Sequence, residues 1–369
     1  MTVVFAGGGT GGHLYPAIAI ADALRERRAR VLFIGSADRL ETQIVPNAGY
    51  PLQTIAAHSL PRRPSLKLFA ALARNVRGTL QSLRLLAAAR ADLVVATGGY
   101  VCFPVALAAR IRRALGRSRA PLVLFEPNVS PGLTSRLLAP LADEIWGVCA
   151  GFTPAIRMKC RNTGIPVRSR LRELPSRDAA AARLGLDAAR PVLLVVGGSQ
   201  GARALNDAVA TAWTRGELPA GWQVLALTGE GEAQRVRAAV GSDAAFVVRA
   251  YLEEMGDAYA VADLVLARAG ASTLAELAAL AMPAVLVPYP HATEAHQTAN
   301  AEAVAAAGAA VVLPDSELAS GALPGVLAEV TQTQRLAWLR ESARRLAGDD
   351  PLAAILARVE SLTCGKSER

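Results

Sequence analysis

Thr2-Val3-Val4-Phe5-Ala6-Gly7-Gly8-Gly9-Thr10-Gly11-Gly12-His13 is the stretch that decides the fold. A short β-branched and apolar run reads as a strand, and the glycines that stop it read as a tight strand-to-helix turn. Helical periodicity follows over Tyr15–Arg27, and Val31–Ile34 is a second strand that ends at Gly35. Leu93–Ala96 before Thr97-Gly98-Gly99, and Leu122–Phe125 before Glu126, repeat the pattern. It restarts half a chain later, where Val192–Val196 leads into Gly197-Gly198-Ser199-Gln200-Gly201-Ala202 and a helix from about Ala204. Val224–Leu227, Leu264–Leu266 and Val285–Val287 are further strands, ending at Thr228-Gly229, Ala267-Arg268 and Pro288. Strands alternating with helices predict an α/β protein whose parallel sheets are covered on both faces. The restart predicts two Rossmann-like domains facing a cleft, joined by the Pro/Arg-rich stretch Gly164–Arg177, with ligands beyond the carboxyl ends of the strands.

Composition narrows the rest. The chain has 369 residues, 52% of them hydrophobic and 19% charged, which allows two packed domains and excludes a mainly disordered chain. Forty Lys+Arg against 31 Asp+Glu leave a net charge of +9, which fits nucleic acid, an anionic membrane surface or a phosphorylated ligand. Only Lys67, Lys159 and Lys366 are lysines, as codon bias toward arginine would produce. Cys102, Cys149, Cys160 and Cys364 form no CxxC pair or zinc-ligand spacing and read as reduced thiols of a cytosolic protein. The neutral first 21 residues lack a basic n-region and are full of glycine, so they do not read as a signal peptide. No transmembrane helix is expected, because the other neutral stretches are broken by proline and glycine.

A glycine-rich loop at a helix start gathers unpaired N–H donors at the positive end of a helix dipole and therefore attracts anions. Gly7, Gly9 and Gly12 satisfy GxGxxG, a dinucleotide signature, while the absence of a following GK[ST] excludes a P-loop. A tight turn with no ligand is the alternative for one loop, and two loops in equivalent positions weaken it. His13, next to the first loop, suits proton transfer near neutrality, with a structural histidine as the alternative. Arg268-Ala269-Gly270-Ala271-Ser272-Thr273-Leu274-Ala275-Glu276 also leads from a strand into a helix. There Ser272 or Thr273 can cap or bind phosphate, and Glu276 can accept hydrogen bonds from a vicinal diol. A first-turn acid favoured by the dipole is the competing account of Glu276.

These segments occur in order with Thr97-Gly98-Gly99-Tyr100 and His296-Gln297 with Asn300, and together they closely resemble the MurG family of peptidoglycan N-acetylglucosaminyltransferases, which have the GT-B fold. The resemblance implies UDP-N-acetylglucosamine as donor, lipid I (undecaprenyl-pyrophosphoryl-N-acetylmuramoyl-pentapeptide) as acceptor and lipid II as product. It implies no cofactor and no metal site, and the chain contains no DxD motif. On this resemblance residues 1–163 form the acceptor domain and 164–340 the donor domain, with 341–369 packing back on the first. The implied donor contacts are Ser199 on the diphosphate, Arg168, the Leu252 backbone on uracil, Ala271, Ser272, Thr273, Leu274, Ala275 and Glu276 along the nucleotide, and Gln297 on the sugar. Gly9, Thr10, Gly11 and Asn128 are expected at the reacting end, with His13 as base and Glu126 in reserve. Where the family has His-Glu-Gln-Asn, this chain has Phe125-Glu126-Pro127-Asn128, so no role of that histidine carries over.

The charge also has a local form. From Pro61 to Arg90 lie Arg62, Arg63, Lys67, Arg74, Arg77, Arg84 and Arg90 and no acid. Leu66, Phe69, Leu72, Val76, Leu80 and Leu83 fall between them at helical spacing. A basic amphipathic helix of this kind predicts docking on an anionic membrane surface, hence a peripheral protein at the cytoplasmic face of the membrane, with Arg110, Arg112, Arg113, Arg117 and Arg119 as a second patch. A core-packed helix with a solvated Arg face is the alternative. Nucleic acid is not expected, since no reading motif accompanies the charge. Other cell-wall enzymes are conceivable partners. Two rival functions remain: an NAD(P)-dependent oxidoreductase, resting on GxGxxG, and a UDP-sugar-binding membrane protein that has lost turnover.

Overall fold

The structure is a computed structural model that describes residues 1–369 except 10, 38, 60–65, 172, 199–200, 253, 293–294, 348–349 and 365–369. The chain divides into two compact units, Met1–Arg168 with Asp349–Arg369, and Ser169–Gly348.

The first unit contains β1 (Thr2–Ala6), α1 (Gly11–Glu26), β2 (Arg30–Gly35), α2 (Glu41–Asn47), β3 (Leu52–Thr54), α3 (Leu66–Ala89), β4 (Leu93–Ala96) and α4 (Cys102–Ala114). It continues through β5 (Leu122–Glu126), α5 (Leu133–Leu138), β6 (Glu144–Gly147), α6 (Pro154–Arg157) and β7 (Cys160–Arg161). The sheet is parallel, in the order β3-β2-β1-β4-β5-β6-β7. Because side chains alternate along a strand, Val3 and Phe5 enter one core and Val4 and Ala6 the other.

The second unit contains α7 (Arg177–Leu184), β8 (Val192–Val196), α8 (Arg203–Thr214), β9 (Gln223–Leu227), α9 (Ala233–Val240), β10 (Phe246–Arg249), α10 (Met255–Val261), β11 (Leu264–Ala267) and α11 (Ala271–Ala279). Then come β12 (Ala284–Leu286), α12 (His296–Ala306), β13 (Ala310–Val312), α13 (Asp315–Ala319), α14 (Leu323–Val330) and α15 (Thr333–Ala347). Its parallel order, β10-β9-β8-β11-β12-β13, repeats the topology of the first sheet. In each sheet the strand order reverses after the first strand, so the crevices lie between the loops after β1 and β4, and between those after β8 and β11.

The division between the units falls after Arg168 rather than after residue 163, because Ile165 packs against the first core. Residues 333–347 stay with the second unit, where Leu339 is buried, so the returning segment is α16 (Pro351–Cys364) alone. It inserts Ile355, Leu356 and Val359 into the first core, and its Arg358 hydrogen bonds to the nearly buried Glu144 on β6.

Helix α3 turns its apolar stripe outward. Its inner face carries Ala71, Asn75, Gly78, Thr79, Ser82 and Leu86. Gly78 is forced by close approach, since a Cβ there would stand 2.0 Å from the carbonyl oxygen of Ala56. Asn75 exchanges hydrogen bonds with the His58 backbone, and Gln81 accepts one from Ala56 N–H. Phe69 (71% exposed), Leu72, Val76 (61%) and Leu80 face outward, beside exposed Arg74, Arg77 and Arg84. Arg62 and Arg63 lie outside the described residues. The second basic patch is partly neutralised, because Arg110 and Arg113 both pair with Asp143, and Arg112 donates to the carbonyls of Leu83 and Arg117. Among the described residues no helix is long and apolar enough to cross a membrane.

Candidate active site

At the crevice of the first unit, the loop after β1 packs on the loop after β4 so closely that glycines are required on both sides. A Cβ at Gly99 (φ +83°) would stand 2.5 Å from the Gly8 carbonyl oxygen, and one at Gly7 would stand 2.1 Å from Thr97 Oγ1. Gly98 (φ +111°) makes room for His13, because a Cβ there would lie 2.4 Å from His13 Nδ1. The third residue of α1 is thus placed by a glycine 85 positions away in sequence (98 − 13). Cys102 clasps the same region: its thiol donates toward the carbonyls of Ala6 (3.0 Å) and Gly98 (2.9 Å) and accepts from Gly98 N–H. Burial pushes that thiol up to about 12, so it keeps the proton it donates.

Gly9, at φ +90°, donates its N–H to Glu41 Oε2 at 3.0 Å, while Glu41 Oε1 accepts from Ser36 N–H and Oγ–H. Glu41 carries no motif and its part in this loop is visible only in the fold. Thr10 lies outside the described residues. The Tyr15 ring lies 2.9 Å from where a Cβ at Gly11 would sit, and Arg168 stacks on that ring, its guanidinium carbon 4.9 Å from the centroid. Arg168 therefore belongs to the first unit and not, as expected, to the second, since this cation–π contact anchors it on α1.

Glu126, the last residue of β5, is 2% exposed. Its Oε1 accepts from both the backbone N–H and the side-chain amide of Asn128, each at 2.9 Å. That geometry orients Asn128 and leaves Glu126 little access to a substrate hydroxyl. Phe125 points the other way and is fully buried with Phe5, Trp146 and Ile355, so the replaced histidine position is a core position in this chain.

In the second unit Gly198 (φ +89°) and Gly201 (φ +75°) shape the loop after β8; a Cβ at Gly201 would meet the Thr228 carbonyl oxygen at 2.1 Å. Ser199 lies outside the described residues. The N-cap residues of α8 (Ala202) and α11 (Gly270) supply no side-chain cap, and both helices open at the switch point of the second sheet. Along α11, Ala271 and Leu274 face the core, whereas Ser272, Thr273, Ala275 and Glu276 are partly exposed. Glu276 Oε2 accepts a 2.7 Å hydrogen bond from the buried Tyr259 hydroxyl of α10, a partner that no motif announced. Leu252 is partly buried against the second core, and Gln297, in the first turn of α12, accepts from Tyr289 N–H at 3.0 Å. Arg268 is structural, pairing with Asp315 and donating to the carbonyls of Val287 and Pro288. Asn300 likewise donates to the Ala269 carbonyl. Among the described residues no cluster of three or more His, Cys, Asp or Glu is arranged to hold a metal ion.

The first crevice thus carries a histidine, and the second carries two helix starts and a carboxylate. The chain was compared with known proteins. Residues 3–146 match the glycosyltransferase family 28 N-terminal domain, and residues 192–347 match the family 28 C-terminal domain. The chain is 43% identical over 372 residues to the UDP-N-acetylglucosamine--N-acetylmuramyl-(pentapeptide) pyrophosphoryl-undecaprenol N-acetylglucosamine transferase of Halorhodospira halophila, covering 99% of each chain. It is 41% identical over 377 residues to the protein of the same name from Chlorobium luteolum, covering 98% of this chain and 99% of that one. Among solved structures, MurG of Acinetobacter baumannii has a TM-score of 0.77 at 26% identity, over 98% of this chain and 99% of that one. A calicheamicin glycosyltransferase, 18% identical with a TM-score of 0.67 over 100% of this chain and 99% of that one, shares the fold. With both units matched in order and near-full-length relatives above 40% identity, the chain belongs to glycosyltransferase family 28, among its N-acetylmuramyl-(pentapeptide) pyrophosphoryl-undecaprenol N-acetylglucosamine transferases.

Proposed function

We propose that this protein is an inverting glycosyltransferase that moves N-acetylglucosamine from UDP-N-acetylglucosamine to the 4-hydroxyl of the muramoyl sugar of lipid I, giving lipid II. The observation that carries the reading is the identity of about two residues in five, across both units, to enzymes named for that transfer. In this reading His13 takes the proton of the attacking hydroxyl, and Asn128, held by Glu126, lies near the sugar. Gly9, Thr10 and Gly11 line the reacting end. In the second unit the backbone donors at the starts of α8 and α11, with Ser199, Ser272 and Thr273, hold the diphosphate and stabilise the charge that develops on UDP as the glycosidic bond breaks. Glu276 accepts the ribose hydroxyls, Leu252 contacts uracil through its backbone, and Gln297 contacts the sugar. Arg168, at the end of the first unit, is the further cation for the donor. Incubation with UDP-N-acetylglucosamine and lipid I, followed by mass spectrometry, tests the reading: lipid II is expected, and UDP-sugar binding without lipid II refutes it.

Membrane docking belongs to the same reading. Its support is the outward stripe of Phe69, Leu72, Val76 and Leu80 between exposed arginines, a surface suited to the headgroup region at the cytoplasmic face, where a lipid-linked acceptor is met. Anionic lipid attracts each nearby cation by about 1 kcal/mol. Salt-sensitive co-sedimentation with phosphatidylserine vesicles is expected, with loss in Phe69→Glu/Val76→Glu; equal binding of that variant would count against docking through α3.

A further inference from the structure

We infer that Glu41 is a positioning residue of the transfer reaction: its buried carboxylate fixes the loop after β1 at Gly9 and ties it, through Ser36 and Tyr100, to the loop after β4. The inference rests on the proposed assignment of the first unit to the acceptor and the base.

The geometry is specific. Glu41 opens α2, and its residue is fully buried. Two glycines clear its path: a Cβ at Gly35 would stand 2.7 Å from Glu41 Cγ, and one at Gly8 would stand 2.2 Å from Oε1. Three donors converge on it, Gly9 N–H at 3.0 Å, Ser36 N–H at 3.0 Å and Ser36 Oγ–H at 2.5 Å. The Tyr100 hydroxyl, from the loop after β4, donates to Ser36 Oγ at 3.3 Å. Burying a carboxylate is costly unless donors satisfy it, and a tight turn does not need one. Here one oxygen holds the residue with the left-handed backbone, four positions before His13, while the other joins the network that ends at Tyr100. His13 itself rests on Gly98, so the imidazole and the carboxylate bridge the same pair of loops.

Glu41→Gln separates these roles. If its amide oxygen stays with the two Ser36 donors, its NH2 group confronts Gly9 N–H, donor against donor, and that hydrogen bond is lost. Gly9→Ala is the second probe: a Cβ there meets nothing within 4 Å, so only the backbone preference changes. Each variant is expected to lower kcat by about 10- to 100-fold, as a misplaced reacting group does. KM for UDP-N-acetylglucosamine should stay near wild type, the thermal midpoint should fall by a few degrees only, and the double variant should be no worse than the poorer single one. Unchanged kcat, a donor KM that rises in step, or losses that multiply in the double variant would overturn the inference. Hydrogen exchange reads the clamp without turnover: faster exchange at Gly9 N–H is expected in Glu41→Gln. Unchanged protection overturns the inference whether or not lipid II is the product, whereas lost protection in an enzyme that makes no lipid II would sink the functional reading instead.

Discussion

Replacing Tyr259 by Phe removes a single oxygen from the second core and tests the donor site. The Tyr259 ring is buried and remains packed after the substitution, and the loss includes the 2.7 Å hydrogen bond to Glu276 Oε2. A hydrogen bond to a charged group is worth about 1.5–3 kcal/mol net, and the low end applies because Glu276 is half-buried and water can replace the lost donor. If that bond aims the carboxylate at the ribose diol, about 1 kcal/mol of it shows in binding, a roughly fivefold rise in KM for UDP-N-acetylglucosamine. The acceptor KM and kcat should hold. A continuous assay of UDP release gives all three, and a double-mutant cycle makes the attribution. In a Glu276→Ala background the same substitution should leave the donor KM unchanged, because the group it orients is gone. An unaltered donor KM in Tyr259→Phe, or an equal rise in the Glu276→Ala background, would refute the argument.

Gly98→Ala should lower kcat by on the order of 100-fold with little change in UDP affinity, because its Cβ would enter the His13 ring at a φ of +111°; isothermal titration with UDP beside turnover checks the split. Phe125→His places a polar ring in a fully buried apolar position and should cost about 2 kcal/mol of stability, read by urea denaturation, while the enzyme that remains folded keeps its turnover. Burial alone would raise the Glu144 carboxyl, but hydrogen bonds from Arg358 and Trp146 and the charges of Arg358 and Arg161 outweigh it and hold the group below its usual 4.5. Its stabilising contribution is therefore complete above pH 4.5 and is lost as pH falls through the lower folded value. Arg358→Met should weaken that acid dependence and cost about 2 kcal/mol, since Arg161 remains near Glu144. Trp146, the tryptophan of the first unit, reports it by fluorescence once Trp213, Trp222 and Trp338 are replaced by Phe; an unchanged pH profile would refute the assignment.

What the sequence by itself determined is what short-range pattern encodes. Apolar runs such as Thr2–Ala6 and Val192–Val196 can satisfy a parallel sheet buried on both faces, and the glycines after them mark chain reversals that residues with a Cβ cannot make. Repetition of that pattern gave two units with corresponding loops, and the ordered motifs gave the family. Short edge strands such as Leu52–Thr54 and Cys160–Arg161 were not legible, because two or three residues carry no periodicity. Only the tertiary structure decided the partners. Glu41 meets Gly9 from 32 residues away, Tyr259 reaches Glu276 across a strand, and Arg168 settles on Tyr15. Each pairing depends on where the backbone returns in space, and no local spacing records that. The same holds for α3, whose periodicity announces an apolar face without saying where it points. The direction was set by Gly78 against Ala56 and by Asn75 and Gln81 on the neighbouring backbone, which claimed the small and polar face for the interior and left Phe69 and Val76 outside.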